Sequence, residues 1–229
     1  MITDIALHRL LAWVSPAYPT GAFSYSHGLE WAVEEGSVHS VDELCDYIIA
    51  VLSRGGGWVD AVLFAGAWRA ADARDADTLS NVTELAGTFR GSAETALESH
   101  QQGAAFLQVT RRAWPHPLLN DFATAMAGKP IAHAVAMGVA CAAHGIRLPV
   151  ALSAYLHAMA ANLVSAGVRL IPLGQTAGQK AIAQLAPEIE RVAERALQTD
   201  FELDLGTAAP ALERCSMLHE THYARLFRS

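Results

Sequence analysis

The sequence has little charge, few cysteines and no basic cluster, and each shortage excludes a class of protein. Only 17% of its 229 residues are charged, against 52% that are hydrophobic, and the formal net charge is −7. Without a dense Lys/Arg block the chain has no basic face for phosphate groups, so no nucleic-acid partner is expected. The cysteines, Cys45, Cys141 and Cys215, are odd in number and far apart. This excludes a disulfide scaffold and fits a reducing cytoplasm.

The sequence also has no clear membrane span or signal peptide. Residues 149–173 are long enough to span, but they contain several polar residues and the charged Arg169. A bilayer helix needs about 20 predominantly apolar residues. The N-terminus carries Asp4 and has no long apolar region. We therefore expect a cytoplasmic protein whose apolar surplus covers a core and surfaces for partners.

Apolar residues recur at helical spacing in segments separated by proline and glycine, which predicts an all-α fold. The length suits one large domain or two small ones. We expect a single-domain bundle of about eight to ten helices over residues 1–218. An irregular C-terminal tail, residues 219–229, is expected to dock a partner. Pro130 and Pro149 are expected in the first turns of helices, and Pro187 at a helix break.

Two segments carry finer local signals. Ser40 and Glu43 fit a capping box, in which a hydroxyl and a carboxylate satisfy backbone amides at the start of a helix. A first helix is expected with apolar positions at Ile5, Leu7, Leu10, Leu11 and Val14.

A polar strip lies on the long helix expected at residues 92–114. Glu98, Gln101 and Gln102 share one face of that helix, and Gly103 follows them. A solvated face is the default interpretation. A contact surface is the alternative, because glycine permits the close approach of a neighbour.

His133, Met137 and Cys141 form a second stripe, spaced by one helical turn. These side chains suit a soft metal, but such a stripe is more often core packing. No fourth ligand is placed by the sequence, so we favour packing and expect no stable metal site here.

The loop at residues 15–30, SPAYPTGAFSYSHGLE, is richer in aromatic and hydroxyl side chains than a connector needs. Phe23 is expected to anchor the loop exit in the core. For Tyr25, a core anchor and a contact residue are both open.

Residues 162–180, NLVSAGVRLIPLGQTAGQK, join two apolar segments through a proline and two glycines. A helix is expected to end between Arg169 and Ile171, because proline cannot continue a helix interior. The polar residues that follow are either an ordinary loop or a contact patch held between two long helices. GQTAGQK is not a P-loop, because its glycines are one residue too close and Gln179 stands where glycine belongs.

Three stretches together resemble one family, the urease accessory protein UreF. They are SPAYPTGAFSYSHGLE at residues 15–30, RLIPLGQTAGQ at 169–179 and HETHYARLFRS at 219–229, with ESHQQG at 98–103 as a further family-like segment. The resemblance spans nearly the whole chain in the right order. It implies an all-helical, non-enzymatic chaperone without a cofactor. Such a protein links UreD (also called UreH) on apo-urease to the GTPase UreG, regulates GTP hydrolysis during nickel insertion, and commonly forms a homodimer.

The resemblance also implies candidate partner residues. Those expected to face UreG are Arg169, Gln175, Gln179 and Lys180. Those expected to face UreD are His219, Glu220, Tyr223, Arg225 and Phe227. His219 and His222 are candidates for a transient nickel contact, although their spacing is not the His-Glu-x-x-His of a zinc protease.

Two other functions remain open on the residues alone. An all-helical enzyme with a small cofactor would need polar groups that converge in one pocket. A direct nickel carrier would need a closed set of His and Cys ligands, and only the tail histidines are candidates.

Overall fold

The computed structural model describes residues 4–229, and this part of the chain is helical without any strand, which confirms the all-α prediction. The α-helices are α1 (Asp4–Trp13), α2 (Leu29–Glu34), α3 (Val41–Arg54), α4 (Gly56–Ala73), α5 (Ala76–Thr88), α6 (Ala93–Ala113), α7 (Pro117–Ala125), α8 (His133–Ala143), α9 (Leu148–Leu170), α10 (Gln175–Gln198) and α11 (Pro210–His219). A 3-10 turn lies at Ala22–Ser24.

Side-chain caps fix the starts of four of these helices, among them α7, where the His116 ring accepts from the Leu118 amide. The Ser40 hydroxyl accepts from the Glu43 amide, and Glu43 returns a bond to the Ser40 amide, so the predicted capping box of α3 is confirmed. Asp75 caps α5 by accepting from the Thr78 amide. Ser92 caps α6 in the same way through Thr95. Each cap thereby pairs one of the N-terminal amides that a helix cannot satisfy internally.

Helices α4 and α8 form the centre of the bundle, and both are buried on nearly every side. Gly138 permits their contact, since a Cβ there would lie 2.8 Å from the Phe64 carbonyl oxygen. Gly103 brings α6 close to the segment that leads into α8, because its Cβ would lie 2.0 Å from the Ile131 carbonyl oxygen. Helices α9 and α10 form a hairpin that packs on this centre and on α3.

The apolar positions expected on the first helix divide between core and surface. Leu10 is buried, whereas Ile5, Leu7 and Leu11 are exposed. The buried face of α1 is completed instead by Ala6 and Trp13. Helix α1 therefore presents large apolar side chains to solvent.

Two prolines act differently from expectation. Pro130 precedes α8, which begins at His133 with Ala132 as its cap, so placing Pro130 in the first turn was wrong. Pro187 lies inside the continuous helix α10 instead of breaking it. Its side chain is exposed, so water can satisfy the carbonyl that loses its partner, while the opposite face stays packed.

Two helical stretches are long and apolar enough to cross a membrane by length and composition, Val41–Ala73 and Leu148–Leu170. Core helices of soluble proteins meet the same criterion. In the first, 78% of the most apolar window is buried inside the bundle, as in a core helix. In the second the share is 44%, so α9 keeps a partly exposed face.

Candidate functional site

Helix α11 extends to His219, so the C-terminal tail begins one residue later than expected, at residue 220. The tail, residues 220–229, docks against the bundle and completes a buried polar cluster there. The imidazole of His219 lies between two carboxylates, with Nε2 2.9 Å from Glu30 Oε2 and Nδ1 2.8 Å from Glu94 Oε2. All three side chains are buried. Each ring nitrogen therefore lies within hydrogen-bond distance of one carboxylate.

Glu30 also receives the backbone of the tail. The amides of Leu226 and Phe227 donate to its two carboxylate oxygens at 2.7 and 2.9 Å. Burial raises the pKa of Glu30, but the bonds from His219 and from these two amides outweigh it, and the pKa is lowered below its ordinary value. The ionised Glu30 is therefore the acceptor that holds the tail against α2.

The last residue of the chain is buried as well. Ser26 donates from its amide and its hydroxyl to the Ser229 carbonyl oxygen. The Ser229 hydroxyl donates to Glu98, whose carboxylate also pairs with His27 at 3.0 Å. Gln102 donates to the same carboxylate at 2.9 Å. The tail is thus tied to the loop at residues 15–30 and to α6.

In the loop at residues 15–30, the expected burial of Phe23 is wrong. Phe23, expected as a core anchor, is exposed, whereas Tyr25 is buried and donates its hydroxyl to Gln101. The backbone of the loop folds against α9, where Asn162 donates to the Ala22 carbonyl oxygen at 3.0 Å. Gly28 has a positive φ of 76°, and a Cβ there would lie 2.7 Å from the Ser216 amide nitrogen of α11. Glycine is therefore required where α11 crosses the loop.

The residues predicted to face UreG lie at the junction of α9 and α10. Arg169 lies in the last turn of α9, where Nη2 donates to the Phe23 carbonyl oxygen at 2.9 Å and the guanidinium lies 4.3 Å from the Phe227 ring centroid. Gln175, Gln179 and Lys180 are exposed on the first turns of α10. The junction is thus a solvent-accessible polar surface, and Arg169 connects it to the tail.

The residues predicted to face UreD have mixed exposure. Tyr223 is fully exposed, and Arg225 is exposed while it pairs with Glu94 at 2.8 Å. Glu220 is exposed and accepts from the Ala93 amide at the start of α6. His219 and Phe227 are buried and hold the tail from within. In this conformation the tail offers Tyr223 and its exposed neighbours to a partner.

A cavity of about 720 Å³ opens beside this region, between α4, α6, α9 and the loop. Asp60 lies in its wall, pairing with Arg90 at 2.6 Å and accepting from the Tyr155 hydroxyl at 2.9 Å. His133 also lines it, and its buried Nε2 has no hydrogen-bond partner among the described residues. Burial lowers the pKa of His133 to about 4, so the ring is neutral.

The polar strip on α6 is buried where it was expected to be solvated. Glu98 and Gln102 belong to the buried network, and only Gln101 is exposed. The contact interpretation is therefore correct for this strip, and the neighbours are the loop and the tail of the same chain. Of the second stripe, Met137 and Cys141 are fully buried core residues, as favoured from the sequence.

Three residues of this region were not identified from the sequence as functional candidates: Glu30, Glu94 and Asp60. A signal existed for Asp60, a lone carboxylate inside the apolar run of α4. Glu30 had a weaker signal, since it lies between Leu29 and Trp31 in a short apolar helix. Charged residues in such positions are rarely buried without a partner. Nothing in the local sequence of Glu94 distinguishes it from an acidic residue in the first turn of any helix.

One group of side chains among the described residues could hold a metal ion. Ligand atoms of Glu30, His219 and His222 all lie within 4.8 Å of one another. The two histidines were singled out from the sequence, and the structure adds the carboxylate.

The three motif stretches meet in this one region. Residues 15–30 contact residues 219–229 through Ser26 and Ser229, and both stretches contact Arg169. These stretches are separated by up to 203 positions in the chain. Their shared location identifies this surface as the candidate functional site.

Comparison with known proteins agrees with the motifs. A family model described as UreF matches residues 38–186. The urease accessory protein UreF of Granulibacter bethesdensis is 52% identical over 226 residues, which cover 99% of this chain and 95% of the relative. UreF of Rhodopseudomonas palustris strain TIE-1 is 48% identical over 224 residues, covering 98% and 92%. UreF of Bradyrhizobium sp. strain BTAi1 is 45% identical over the same length, with the same coverage.

The identity extends over nearly the full length of the chain and of these relatives, and the family model covers well over half of the chain. The chain therefore belongs to the UreF family of urease accessory proteins, and its role lies in urease maturation.

Proposed function

We propose that this chain is a cytoplasmic adaptor that links UreD, bound to apo-urease, to the GTPase UreG, and that modulates GTP hydrolysis during nickel insertion. The observation that carries the proposal is the meeting of the three motif stretches in one surface region, joined at Arg169. An adaptor needs two adjacent docking surfaces on a rigid body, and the bundle supplies such a body.

The first docking surface is the polar α9–α10 junction, which we assign to UreG. Gln175, Gln179 and Lys180 project from the first turns of α10, and Arg169 lies beside them. Long polar side chains around a single lysine suit a partner surface that carries carboxylates or carbonyl groups.

The second docking surface is the tail, which we assign to UreD. Tyr223 and Leu226 are large and exposed, and Arg225 lies between them in the chain. Tyrosine and arginine are the residue types that most often carry binding energy at interfaces. The exposed apolar side chains of α1 extend the area that a partner or a second copy of the chain would cover.

The runner-up function is an enzyme that works in the cavity. Polar groups do converge there, but the charged ones satisfy each other: Asp60 holds Arg90 and Tyr155. The Ser99 hydroxyl at the cavity has no hydrogen-bond partner among the described residues, so no base of that set activates it as a nucleophile. The adaptor is the better supported function.

Co-purification with cognate UreD and UreG tests the proposal, with light scattering to determine the mass and the homodimer. Truncation after Leu218 would remove His219 and leave two buried carboxylates unpaired, so exposed point variants are sharper. We expect Tyr223→Ser to weaken UreD capture and Lys180→Ala to weaken UreG capture. Leu203→Ser, at another strongly exposed apolar position that lies outside both surfaces, is the matched control. If the unaltered chain captures neither partner, the adaptor function is wrong.

A further inference from the structure

Three metal-ligating side chains from separate segments converge where the tail meets α2. Glu30 lies in α2, His219 is the last residue of α11 and His222 belongs to the tail. One ligand atom from each lies within 4.8 Å of the other two. The Nδ1 atom of His222 is buried and has no hydrogen-bond partner among the described residues. A buried ring nitrogen without a partner costs free energy unless something binds it.

A second carboxylate orients one of these ligands. Glu94 Oε2 lies 2.8 Å from His219 Nδ1, and Arg225 holds the other Glu94 oxygen at 2.8 Å. With Nδ1 as the donor to Glu94, Nε2 of His219 is directed at Glu30. A carboxylate that accepts from the far nitrogen of a histidine is the usual outer partner of a metal-binding imidazole.

We propose that Glu30, His219 and His222 bind one divalent transition-metal ion of the zinc or nickel type, and that this ion fastens the tail to α2. Two imidazole nitrogens and one carboxylate oxygen suit such ions, whereas calcium and magnesium prefer oxygen ligands alone. Three protein ligands leave a coordination position for water or for a ligand from a partner.

The structure requires only a small adjustment to admit the ion. Metal bonds of about 2.0–2.2 Å place the ligand atoms of a tetrahedral site roughly 3.4 Å apart. The ion takes the place of the hydrogen between His219 Nε2 and Glu30 Oε2, now 2.9 Å apart, and that proton passes to solvent. His222, which is only half-buried, lies on the solvent side and provides access.

The ion would link three segments that are otherwise held by hydrogen bonds. Glu30 already accepts from the amides of Leu226 and Phe227, so fixing its carboxylate also fixes the backbone of the tail. Tail position and metal occupancy are thereby coupled. The ion would thus fasten the surface that we assign to UreD, but the metal site itself does not depend on that assignment.

Metal titration of the full chain tests the site. The protein carries no histidine tag, because a tag binds the same ions, and zinc chloride or nickel sulfate is titrated by calorimetry. We expect the unaltered chain to bind a single ion and His222→Gln to weaken binding at least about tenfold, since even outer-partner changes cost that much. His8→Gln, at an exposed histidine of α1, is the matched control and should bind as the unaltered chain does. Equal affinity of His222→Gln and the unaltered chain would overturn the site.

Hydrogen exchange of the tail tests the fastening separately. Zinc should slow exchange of the Leu226 and Phe227 amides in the unaltered chain, relative to its own metal-free rate, and should leave the rate in His222→Gln unchanged. An ion that binds without slowing this exchange would contradict the fastening. Capture of UreD and UreG is measured separately, in a chelator that removes metal ions, and decides only the adaptor proposal. Loss of metal binding in His222→Gln supports the metal site whether or not the partners are captured.

Discussion

The guanidinium of Arg169 lies over the ring of Phe227, 4.3 Å from its centroid, and so joins the end of α9 to the C-terminal tail. The same side chain donates to the Phe23 carbonyl oxygen and to the Ser165 carbonyl oxygen. One residue therefore holds the loop and the tail to α9. Because Arg169 also borders the polar junction of α9 and α10, a partner that binds it would act on the tail as well.

Arg169→Ala should loosen the tail even without any partner. A cation–π contact at an exposed site stabilises by about 0.5–1 kcal/mol. A loss of this size shifts an opening equilibrium by roughly two- to fivefold. We expect the amides of residues 226–228 to exchange several-fold faster in Arg169→Ala, measured by hydrogen exchange with mass spectrometry.

Arg191→Ala is the matched control for this change. Arg191 is an exposed arginine of α10 whose described ion pair is to Glu188 in its own helix. Its removal should leave tail exchange unchanged. Tail exchange that is equal in Arg169→Ala and the unaltered chain would show that the stacking on Phe227 does not hold the tail.

The buried pair of Asp60 and Arg90 is expected to be essential for stability. Both side chains are almost fully buried, and Tyr155 completes the network. Removing one partner leaves an uncompensated buried charge, so Asp60→Ala should lower the free energy of unfolding by about 3–5 kcal/mol. Glu84→Ala, which breaks the exposed pair with Lys129, should leave the free energy of unfolding nearly unchanged, because water screens that pair. Urea unfolding measures both, and similar losses in the two variants would contradict the structural role of Asp60.

Local signals predicted the helices well where the chain itself supplies the partner. Ser40 and Glu43 satisfy each other within one turn, so their spacing alone fixed the start of α3. Pro187 shows the limit of a local rule, because the buried residues on the opposite face of α10 outweigh one lost backbone bond. The sequence also could not predict which face of α1 is buried. A short helix with apolar residues on several sides buries the face that the neighbouring helices can cover.

The sequence predicted which segments form the candidate site, but it did not predict which side chains contact each other there. The motifs around Arg169 and in the tail were identified from sequence, yet Glu30 and Glu94 were not. Glu30 is 189 positions from His219, and Glu94 is 125 positions from it. A carboxylate in a first helical turn gives no sign of a partner at that distance. Only the packing of α2, α6 and α11 brings these charges together.

Gly103 tests the contact between α6 and α8. A Cβ at this position would lie 2.0 Å from the Ile131 carbonyl oxygen, which is backbone and cannot rotate away. Alanine is the better helix former by about 1 kcal/mol, so propensity alone would make Gly103→Ala stabilising. We expect instead a loss of at least about 2 kcal/mol, from overpacking. Gly56→Ala, where a Cβ meets nothing within 4 Å, is the control. A stabilised Gly103→Ala would mean that α6 and α8 are farther apart than described.

His133, at the cavity, makes the stability of the protein depend on pH. Its ring packs against Phe106 and Tyr155, and burial lowers its pKa from 6.5 to about 4. The charge of Arg90 also lowers this pKa, whereas the charges of Asp60 and Glu98 raise it by less than burial lowers it. The folded state therefore keeps the ring neutral, while the unfolded state takes up a proton below pH 6.5. The unfolded state binds more protons in that range, so stability falls as the pH is lowered from 6.5 towards 4.

His133→Phe removes this dependence and also the buried nitrogen that lacks a partner. The free energy of unfolding of His133→Phe, relative to that of the unaltered chain, should rise by about 2 kcal/mol as the pH falls from 7 to 5. This follows from the difference between the folded pKa of about 4 and the ordinary pKa of 6.5. Urea unfolding at several pH values measures the change. Met137→Leu, one turn along α8 and without a titrating group, should differ from the unaltered chain by a constant amount. A His133→Phe difference that is also constant across pH would show that the imidazole gains a partner or a proton in the folded cavity.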